Sequence, residues 1–220
     1  MKAIKPYTQI FADFKGQDLI NKLEQVARTC YKSESKIKEG SANKMVAALI
    51  RSNHEAMLEH ASITIKFVVD RGISHEIVRH RVASFAQESQ RYCNYSKDDF
   101  GSEITFIIPD FLDYKSEGWN VWKNAMQEAE RTYFKMLELG FSPQEARAVL
   151  PNSTKTELVM TANLREWRHF FKLRASDATG AAHPQMKEVT IPLLAELKTM
   201  IPVIFDDIIV NEKVENNEKM

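Results

Sequence analysis

Three arginines and a histidine lie close together in one short polar segment, Arg79 to Tyr92, which reads RHRVASFAQESQRY. The segment also holds Ser84 and Ser89, and it contains no Lys, Gly or Pro. Guanidinium groups beside short hydroxyl and amide donors suit planar anions and imides, such as phosphates, carboxylates and imide rings. An ordinary charged surface helix is the alternative interpretation, so the segment needs support from the rest of the chain.

A second polar group, His54-Glu55 followed by Glu59-His60, stands just before the apolar run SITIKFVV at residues 62–69. The alternation and the β-branched residues of that run predict a strand. The polar side chains would then lie at the mouth of a strand, where they are well placed for a site. The alternative is a helix end that uses histidines to interact with its own dipole.

Arg174 is the third chemical signal, because it falls among aromatic residues. The spacing predicts a helix over 164–175 that is capped by Asn163, and helical geometry places Arg174 in the middle of its apolar face. That face consists of Leu164, Trp167, Phe170 and Phe171. Arginine keeps its proton, so burial without acceptors would cost several kcal/mol. The partner of Arg174 could be an Asp or Glu in an internal salt bridge, or a ligand with a carbonyl or imide edge.

The arginine-rich segment is predicted to begin on a helix over 75–84, capped by Ser74. On that helix Arg79 shares a polar arc with His75, Glu76 and His80, whereas Arg81 falls in the apolar arc. Because the two arginines point in different directions, we expect the helix to lie at a subunit boundary and to serve more than one site. The run from Ser84 to Ser89 loses apolar periodicity and is predicted to be a loop.

The remaining patterns predict a mixture of strands and helices. Strands are expected within 2–10 and at 62–69, 103–108 and 154–162. Helices are expected at 19–30, after a cap at Ser41, and at 75–84, 116–139, 164–175 and 183–200. Ser142-Pro143-Gln144-Glu145 has the form of a capping box with proline at the first helical position. We expect a single domain over residues 1–210, followed by a polar tail at 211–220.

Composition excludes several classes of function. Thirty basic and 30 acidic side chains balance, so no overall field attracts nucleic acid or an anionic membrane. The two cysteines have no metal or redox spacing, and no signal peptide or membrane span is evident, so we expect a soluble, cytoplasmic protein.

Other chemistries have weaker support. No Rossmann glycine pattern and no P-loop occurs. A zinc hydrolase is poorly supported, because His75 and His80 are five residues apart and would point about 140° apart on a helix. A serine nucleophile at Ser84 or Ser89 lacks a nucleophile elbow. An RNA-binding module is disfavoured by the neutral charge and the scattered aromatic residues.

Taken together, the spacing Arg79-His80-Arg81, seven residues, Ser89 and then Arg91-Tyr92 resembles the signature of the flavin-dependent thymidylate synthases. Three other segments resemble the family in the same order along the chain. They are the histidine–glutamate segment at 54–60, the second arginine motif from Glu145 to Pro151, and the closing helix from Asn163 to Arg174. The resemblance covers roughly residues 20 to 200.

This resemblance implies an α/β (α+β) fold with a central, mostly antiparallel sheet flanked by helices, assembled as a homotetramer with active sites between subunits. It also implies the reaction, in which NADPH reduces FAD, the flavin delivers hydride to the uracil ring of dUMP, and methylenetetrahydrofolate supplies the carbon that yields dTMP. No protein nucleophile is then required, and no metal site, nucleic acid or membrane is expected.

The resemblance also assigns roles to residues. Flavin and folate contacts would fall on His54, Glu59, Arg79, His80, Arg81, Gln87, Asn163, Arg165 and His169. The nucleotide dUMP would be held by Glu76, Arg79, Gln87, Glu88, Ser89, Gln90, Arg91, Arg147 and Arg174. Arg91 and Arg147 can neutralise a phosphate, and Arg174 would be catalytic, stabilising negative charge that develops on the pyrimidine.

Overall fold

The computed structural model describes residues 1–11, 14–96, 102–176, 178 and 180–210, so the polar tail at 211–220 lies outside the described residues. The strands are β1 (Lys2–Ile4), β2 (Tyr7–Ile10), β3 (Ser62–Asp70), β4 (Ala83–Gln87), β5 (Thr105–Ile107) and β6 (Lys155–Asn163). The helices are α1 (Gly16–Thr29), α2 (Ser41–Arg51), α3 (Arg71–Ile77), α4 (Glu117–Glu138), α5 (Pro143–Ala146), α6 (Leu164–Arg174) and α7 (Pro184–Met200). Short 3₁₀ turns occur at Glu34–Lys36, Glu55–His60 and Arg147–Val149.

The chain divides into two compact units, each made of two separate stretches. The first unit comprises Met1–Phe11 and Ile63–Ala162, and the second comprises Ala12–Ser62 and Asn163–Met220. A single domain over residues 1–210 stays a prediction. Among the helices of the described residues, none is both long and apolar enough to span a bilayer.

The first unit contains a four-stranded sheet in the order β2-β3-β6-β4. The β2/β3 and β4/β6 pairs are antiparallel, which confirms the expected mixed fold with a mostly antiparallel sheet. Every second residue of β6 is buried, as the alternation of its sequence predicts. The stretch at 2–10 forms two strands instead of one, because Pro6 has no backbone N–H for a ladder; β1 pairs with β5 in a separate parallel sheet.

The predicted helix over 75–84 is wrong in position. Helix α3 begins at Arg71, because the Asp70 carboxylate accepts a hydrogen bond from the Ile73 N–H at 2.7 Å and caps it, and the helix ends at Ile77. The predicted loop at 84–89 is also wrong, because residues 83–87 form β4 and pair with β6. Arg79 and Arg81 therefore lie outside the helix, and the argument for a subunit boundary from their helical angles loses its basis.

Side chains cap two helices of the first unit, and the capping box predicted at Ser142 is confirmed. Ser116 accepts a hydrogen bond from the Trp119 N–H at 3.1 Å and starts α4. The Ser142 N–H donates to the Glu145 carboxylate at 2.8 Å, which completes the capping box of α5. Helix α4 buries few side chains, and those that it buries join a small core with members from β5 and the loops. This core contains Tyr95, Ile104, Phe106, Met126, Tyr133 and Ala146.

The second unit packs around the aromatic face of α6. Trp167, Phe170 and Phe171 lie with ring centroids 5.4 to 5.9 Å apart, and Phe205 meets Phe171 at 5.6 Å. All four side chains are fully buried, and each such burial contributes roughly 1.5–3 kcal/mol. Asn163 accepts a hydrogen bond from the Glu166 N–H at 2.9 Å, so α6 begins where its cap was predicted.

Helix α2 starts differently from the prediction that Ser41 caps it. The cap residue is Gly40, whose φ of 71° lies in the left-handed region that glycine adopts without strain. Ser41 is the first helical residue, and its hydroxyl lies 2.8 Å from the buried carboxylate of Glu24 on α1. This contact ties α2 to α1.

Candidate functional site

The Arg79-His80-Arg81 segment follows α3 and leads into β4 in the first unit. Arg79 and Arg81 are exposed, whereas His80 is 5% exposed and makes a contact within the chain. Toward the rest of the described chain, neither the Arg79 nor the Arg81 guanidinium makes a hydrogen bond or an ion pair. Exposed cations without an acidic partner can attract an anionic ligand.

Gln87, at the end of β4, has a fixed amide orientation. Its Nε2 donates to the hydroxyl of Ser74 at 3.0 Å and to that of Thr156 at 3.3 Å. The Ser74 hydroxyl donates its only proton to the Arg71 carbonyl at 2.9 Å, so Ser74 can only accept from Gln87. The amide oxygen of Gln87 therefore faces away from both hydroxyls and is available as an acceptor. Ser74 and Thr156 are almost fully buried, and sequence reasoning did not assign either to the site.

The carboxylate of Glu88 is held from two sides. The Tyr95 hydroxyl donates to Glu88 Oε1 at 3.0 Å, and the Lys155 ammonium forms an ion pair with Oε2 at 3.1 Å. Burial raises the pKa of Tyr95, and the charge of Glu88 raises it further. Burial alone would lower the pKa of Lys155, but its acidic partners Glu157 and Glu88 outweigh that effect and raise it. Tyr95 thus stays a donor and Lys155 stays charged at neutral pH.

The turn after Glu88 is organised by Ser89. Its carbonyl accepts hydrogen bonds from the backbone N–H groups of Tyr92 and Cys93 at 3.1 and 3.0 Å, and its hydroxyl accepts from the Arg91 N–H at 3.3 Å. The exposed guanidinium of Arg91 lies 5.4 Å above the Tyr92 ring. The side-chain nitrogen of Gln90 is buried and has no hydrogen-bond partner among the described residues. A buried donor without a partner fits a site that awaits a ligand acceptor.

Arg147 lies at the start of the 3₁₀ turn that follows α5, and its position is set by the Ser142–Glu145 capping box. Its guanidinium is exposed and has no acid or acceptor partner within the described chain. Arg147 therefore adds a further cation in the first unit that can bind an anion.

The second unit holds the other predicted contacts. Glu59 and Arg165, both predicted to contact the cofactor, pair with each other at 2.5 Å on the surface. His54 is exposed at the start of the 3₁₀ turn Glu55–His60, and Asn163 uses its amide oxygen to cap α6. The amide nitrogen of Asn163 is not needed for that cap.

His169 is exposed on α6 and acts on a buried neighbour, Glu166. Burial raises the pKa of Glu166, and the charge of His169 lowers it in part. The charge of His169 therefore acts on a buried carboxylate that lies one turn earlier on the same helix.

The buried arginine of α6 is Arg168, not Arg174. Arg168 is 1% exposed and binds Glu55 at 3.0 Å and both carboxylate oxygens of Asp207, at 2.6 and 2.8 Å. It also donates to the Ile204 carbonyl. Arg174 is only partly buried, because it is the last residue of the helix and no further turn covers it. The predicted dry setting of Arg174 is therefore wrong, while its catalytic role stays a prediction.

The structure thus groups the predicted residues by unit. The first unit contains Glu76, Arg79, His80, Arg81, Gln87, Glu88, Ser89, Gln90, Arg91 and Arg147, and the second contains His54, Glu59, Asn163, Arg165, His169 and Arg174. The mostly antiparallel sheet with its helices defines a mixed α/β protein, and its first unit presents exposed guanidinium groups that could bind an anion.

Comparisons with known proteins identify the family. The family described as "Thymidylate synthase complementing protein" matches residues 17–203. The flavin-dependent thymidylate synthase of Pyrococcus abyssi is 35% identical over 166 residues, which cover 75% of this chain and 66% of that protein. The enzyme of the same name from Geobacter sulfurreducens is 31% identical over 188 residues, covering 82% and 78%. The chain belongs to the flavin-dependent thymidylate synthase family.

This chain spans 66% of the length of the Pyrococcus abyssi protein. Among solved structures, the crystal structure of a UMP/dUMP methylase PolB from Streptomyces cacaoi, bound with 5-Br dUMP, has the same fold. Its TM-score is 0.75 at 24% identity, and the match covers 93% of this chain and 95% of that chain.

Proposed function

We propose that this protein methylates dUMP to dTMP as a flavin-dependent thymidylate synthase. Methylenetetrahydrofolate would donate the carbon and NADPH would be the reductant. The family match over residues 17–203 carries the proposal. The exposed guanidinium of Arg91, in the turn that also presents the Ser89 hydroxyl, supports a phosphorylated ligand, and Arg79 and Arg81, before β4, supply two further cations without an acidic partner in the described chain.

The residues fit a nucleotide monophosphate. Arg91 and Arg147 would neutralise its phosphate, and Ser89 would donate a hydrogen bond to it, because the Ser89 hydroxyl only accepts within the chain. The Gln87 amide oxygen would accept a hydrogen bond from a hydroxyl or imide N–H of the nucleotide. Arg174 would stabilise negative charge on the pyrimidine, and its position at the helix end leaves the guanidinium able to reach a ligand.

FAD would be bound by the residues that the family resemblance assigns to it. Arg79 and Arg81 would bind its diphosphate, and His54, His80, Asn163 and His169 would contact the rest of the molecule. The buried and unpartnered nitrogen of Gln90 supports a ligand acceptor in this region. When bound, FAD would supply the hydride for the methylation. Since that hydride comes from the cofactor, Ser89 serves binding and not covalent attack.

We propose in addition that the active enzyme is a homotetramer in the cytoplasm, with sites between subunits. The family resemblance supports the tetramer, and two free cysteines, Cys30 and Cys93, accord with a reducing compartment. Light scattering of the purified protein would test the assembly, and a monomer with full activity would contradict it.

The reaction is tested with purified protein. A flavin absorbance spectrum should bleach on anaerobic addition of NADPH and return when dUMP and methylenetetrahydrofolate are added together, with dTMP as product. UMP in place of dUMP, and omission of the folate, serve as controls. A colourless protein that cannot be loaded with FAD, or a loaded protein that makes no dTMP, would refute the proposal.

A further inference from the structure

Glu88 is the point at which the Ser89–Arg91 turn leaves the sheet. Its backbone N–H donates to the Glu157 carbonyl at 2.8 Å, which extends the β4–β6 pairing by one residue. Its side chain is only 12% exposed. The main chain and the side chain of Glu88 are thus both fixed immediately before the residues that would bind the phosphate.

A chain of alternating charges runs across this face of the sheet. Lys155 lies 3.1 Å from Glu88 and 2.8 Å from Glu157, and Glu157 has a second cation in Lys66. Loss of Lys155 would therefore leave Glu157 paired and Glu88 without a cation. Within the described chain, Lys155 is the cation that neutralises Glu88.

An unneutralised carboxylate at this position would act on the ligand. Glu88 adjoins Ser89 and lies three residues before Arg91, so a negative charge there would repel a phosphate dianion. The surroundings of the carboxylate are partly buried, so water screens this repulsion less than it would at an open surface. The ion pair with Lys155 and the hydrogen bond from Tyr95 remove that repulsion and hold the side chain in place.

We propose that Lys155 and Tyr95 are positioning residues of the phosphate site, which hold Glu88 as a neutralised anchor for the Ser89–Arg91 turn. The inference rests on the proposed function, because it takes the ligand of the turn to be a nucleotide monophosphate. It gives Glu88 an anchoring role in place of the direct substrate contact that the family resemblance implies.

A double-mutant cycle tests this inference. Lys155→Met, Glu88→Gln and the double variant are compared with wild type for dUMP KM, kcat and melting temperature. Lys155→Met should raise the KM for dUMP about tenfold, with kcat changed less, because an unpaired charge acts on the phosphate. Glu88→Gln alone should raise KM less than Lys155→Met does, by about threefold, because the amide can keep the hydrogen bond with Tyr95 but loses the ion pair; the double variant should recover to the Glu88→Gln value, because the repelling charge is gone.

Two further variants complete the design. Lys135→Met removes an exposed lysine that pairs with Glu138 on α4, and it should leave KM unchanged. Tyr95→Phe removes one donor to Glu88 and should raise KM by about threefold without a change in the sign of any charge. If Lys155→Met does not fold, Tyr95→Phe and Glu88→Gln still distinguish an anchor from a direct contact.

The inference is overturned if Glu88→Gln raises KM as much as Lys155→Met and the double variant shows no recovery, since Glu88 would then contact the substrate. It is also overturned if KM is unchanged in both Lys155→Met and Tyr95→Phe. Failure of the proposed function has a different signature, because it is seen in wild type. If wild-type protein carries FAD but does not bind dUMP, the proposed function and the anchoring role of Glu88 are both rejected. The pattern of KM among the variants tests the anchoring role of Glu88 alone.

Discussion

Replacing Arg168 is expected to have the largest effect on stability of any single ion-pair change in the described chain. Its guanidinium is 1% exposed and makes a two-pronged contact with Asp207 in addition to its bond to Glu55. Arg168→Met should lower the free energy of unfolding by about 3–5 kcal/mol, because it removes the cation that is hydrogen-bonded to Asp207 and leaves Glu55 with Lys172 alone, at 3.7 Å. Asp207 is 48% exposed and can be rehydrated, so the lower end of that range is expected.

The assay is urea unfolding at neutral pH, followed by far-UV circular dichroism. Arg168→Lys should recover little of the loss, because an ammonium group cannot reproduce the planar fork. Asp207→Asn should lose less than Arg168→Met, since Glu55 and the Ile204 carbonyl still bind the guanidinium. Arg131→Met, which removes an exposed pair with Glu128, is the matched control and should change stability by less than about 1 kcal/mol.

The same pair gives a pH dependence with a defined sign. The hydrogen bond from Arg168 holds the pKa of Asp207 below its ordinary value. Stability from this pair is therefore complete above the unfolded-state pKa of about 3.9 and is lost as pH falls through the lower, folded-state pKa. Asp207→Asn should flatten this part of the acid-unfolding curve. An Arg168→Met variant within about 1 kcal/mol of wild type would refute the reasoning, because a buried pair cannot be broken at so little cost.

Three further predictions concern the site. Arg174→Ala should leave FAD bound and reducible by NADPH, but should slow flavin reoxidation by dUMP and methylenetetrahydrofolate about 10²-fold or more, as expected when a charge-stabilising group is lost. Ser89→Ala should raise the KM for dUMP while turnover remains measurable, because the hydroxyl binds the phosphate and does not attack the base. Thr156→Val should raise the KM for dUMP about threefold, since one of the two bonds that orient the Gln87 amide is lost.

Each of these has a contrary result. If Arg174→Ala loses thermal stability and FAD together, Arg174 is a structural ion-pair partner. A covalent adduct trapped on Ser89 would overturn its binding role. If Thr156→Val melts earlier than wild type but binds dUMP normally, the hydroxyl serves packing and not the orientation of Gln87.

Local signals in the sequence predicted the elements that local chemistry decides. The cap at Asn163, the capping box at Ser142 and the strand at 154–162 depend on neighbours within a few residues, and all three were located correctly. The resemblance to a family supplied the roles of the arginines, which no periodicity could have shown.

Long-range pairing explains what sequence reasoning missed. Residues 83–87 extend because β6, more than 70 residues later, offers them a hydrogen-bonding edge, and a helical period in the sequence cannot report that. Asp70 caps α3 in place of the predicted Ser74, because the Asp70 carboxylate lies within hydrogen-bond distance of the Ile73 N–H. Arg168 carried a readable signal, since it follows Leu164 by four residues and so lies above it on the buried face.

The discontinuous make-up of the two units bears on how the chain reaches its fold during synthesis. Helices α1 and α2 belong to the second unit, yet about one hundred residues of the first unit separate them from α6 and α7. At a ribosomal rate of about 5–20 residues per second, the early helices wait on the order of 5–20 s for their partners. The four-stranded sheet of the first unit closes only at the end of that interval, because its inner strand β6 is the last of its strands to be made. Helices α6 and α7 then complete the unit to which the early helices belong.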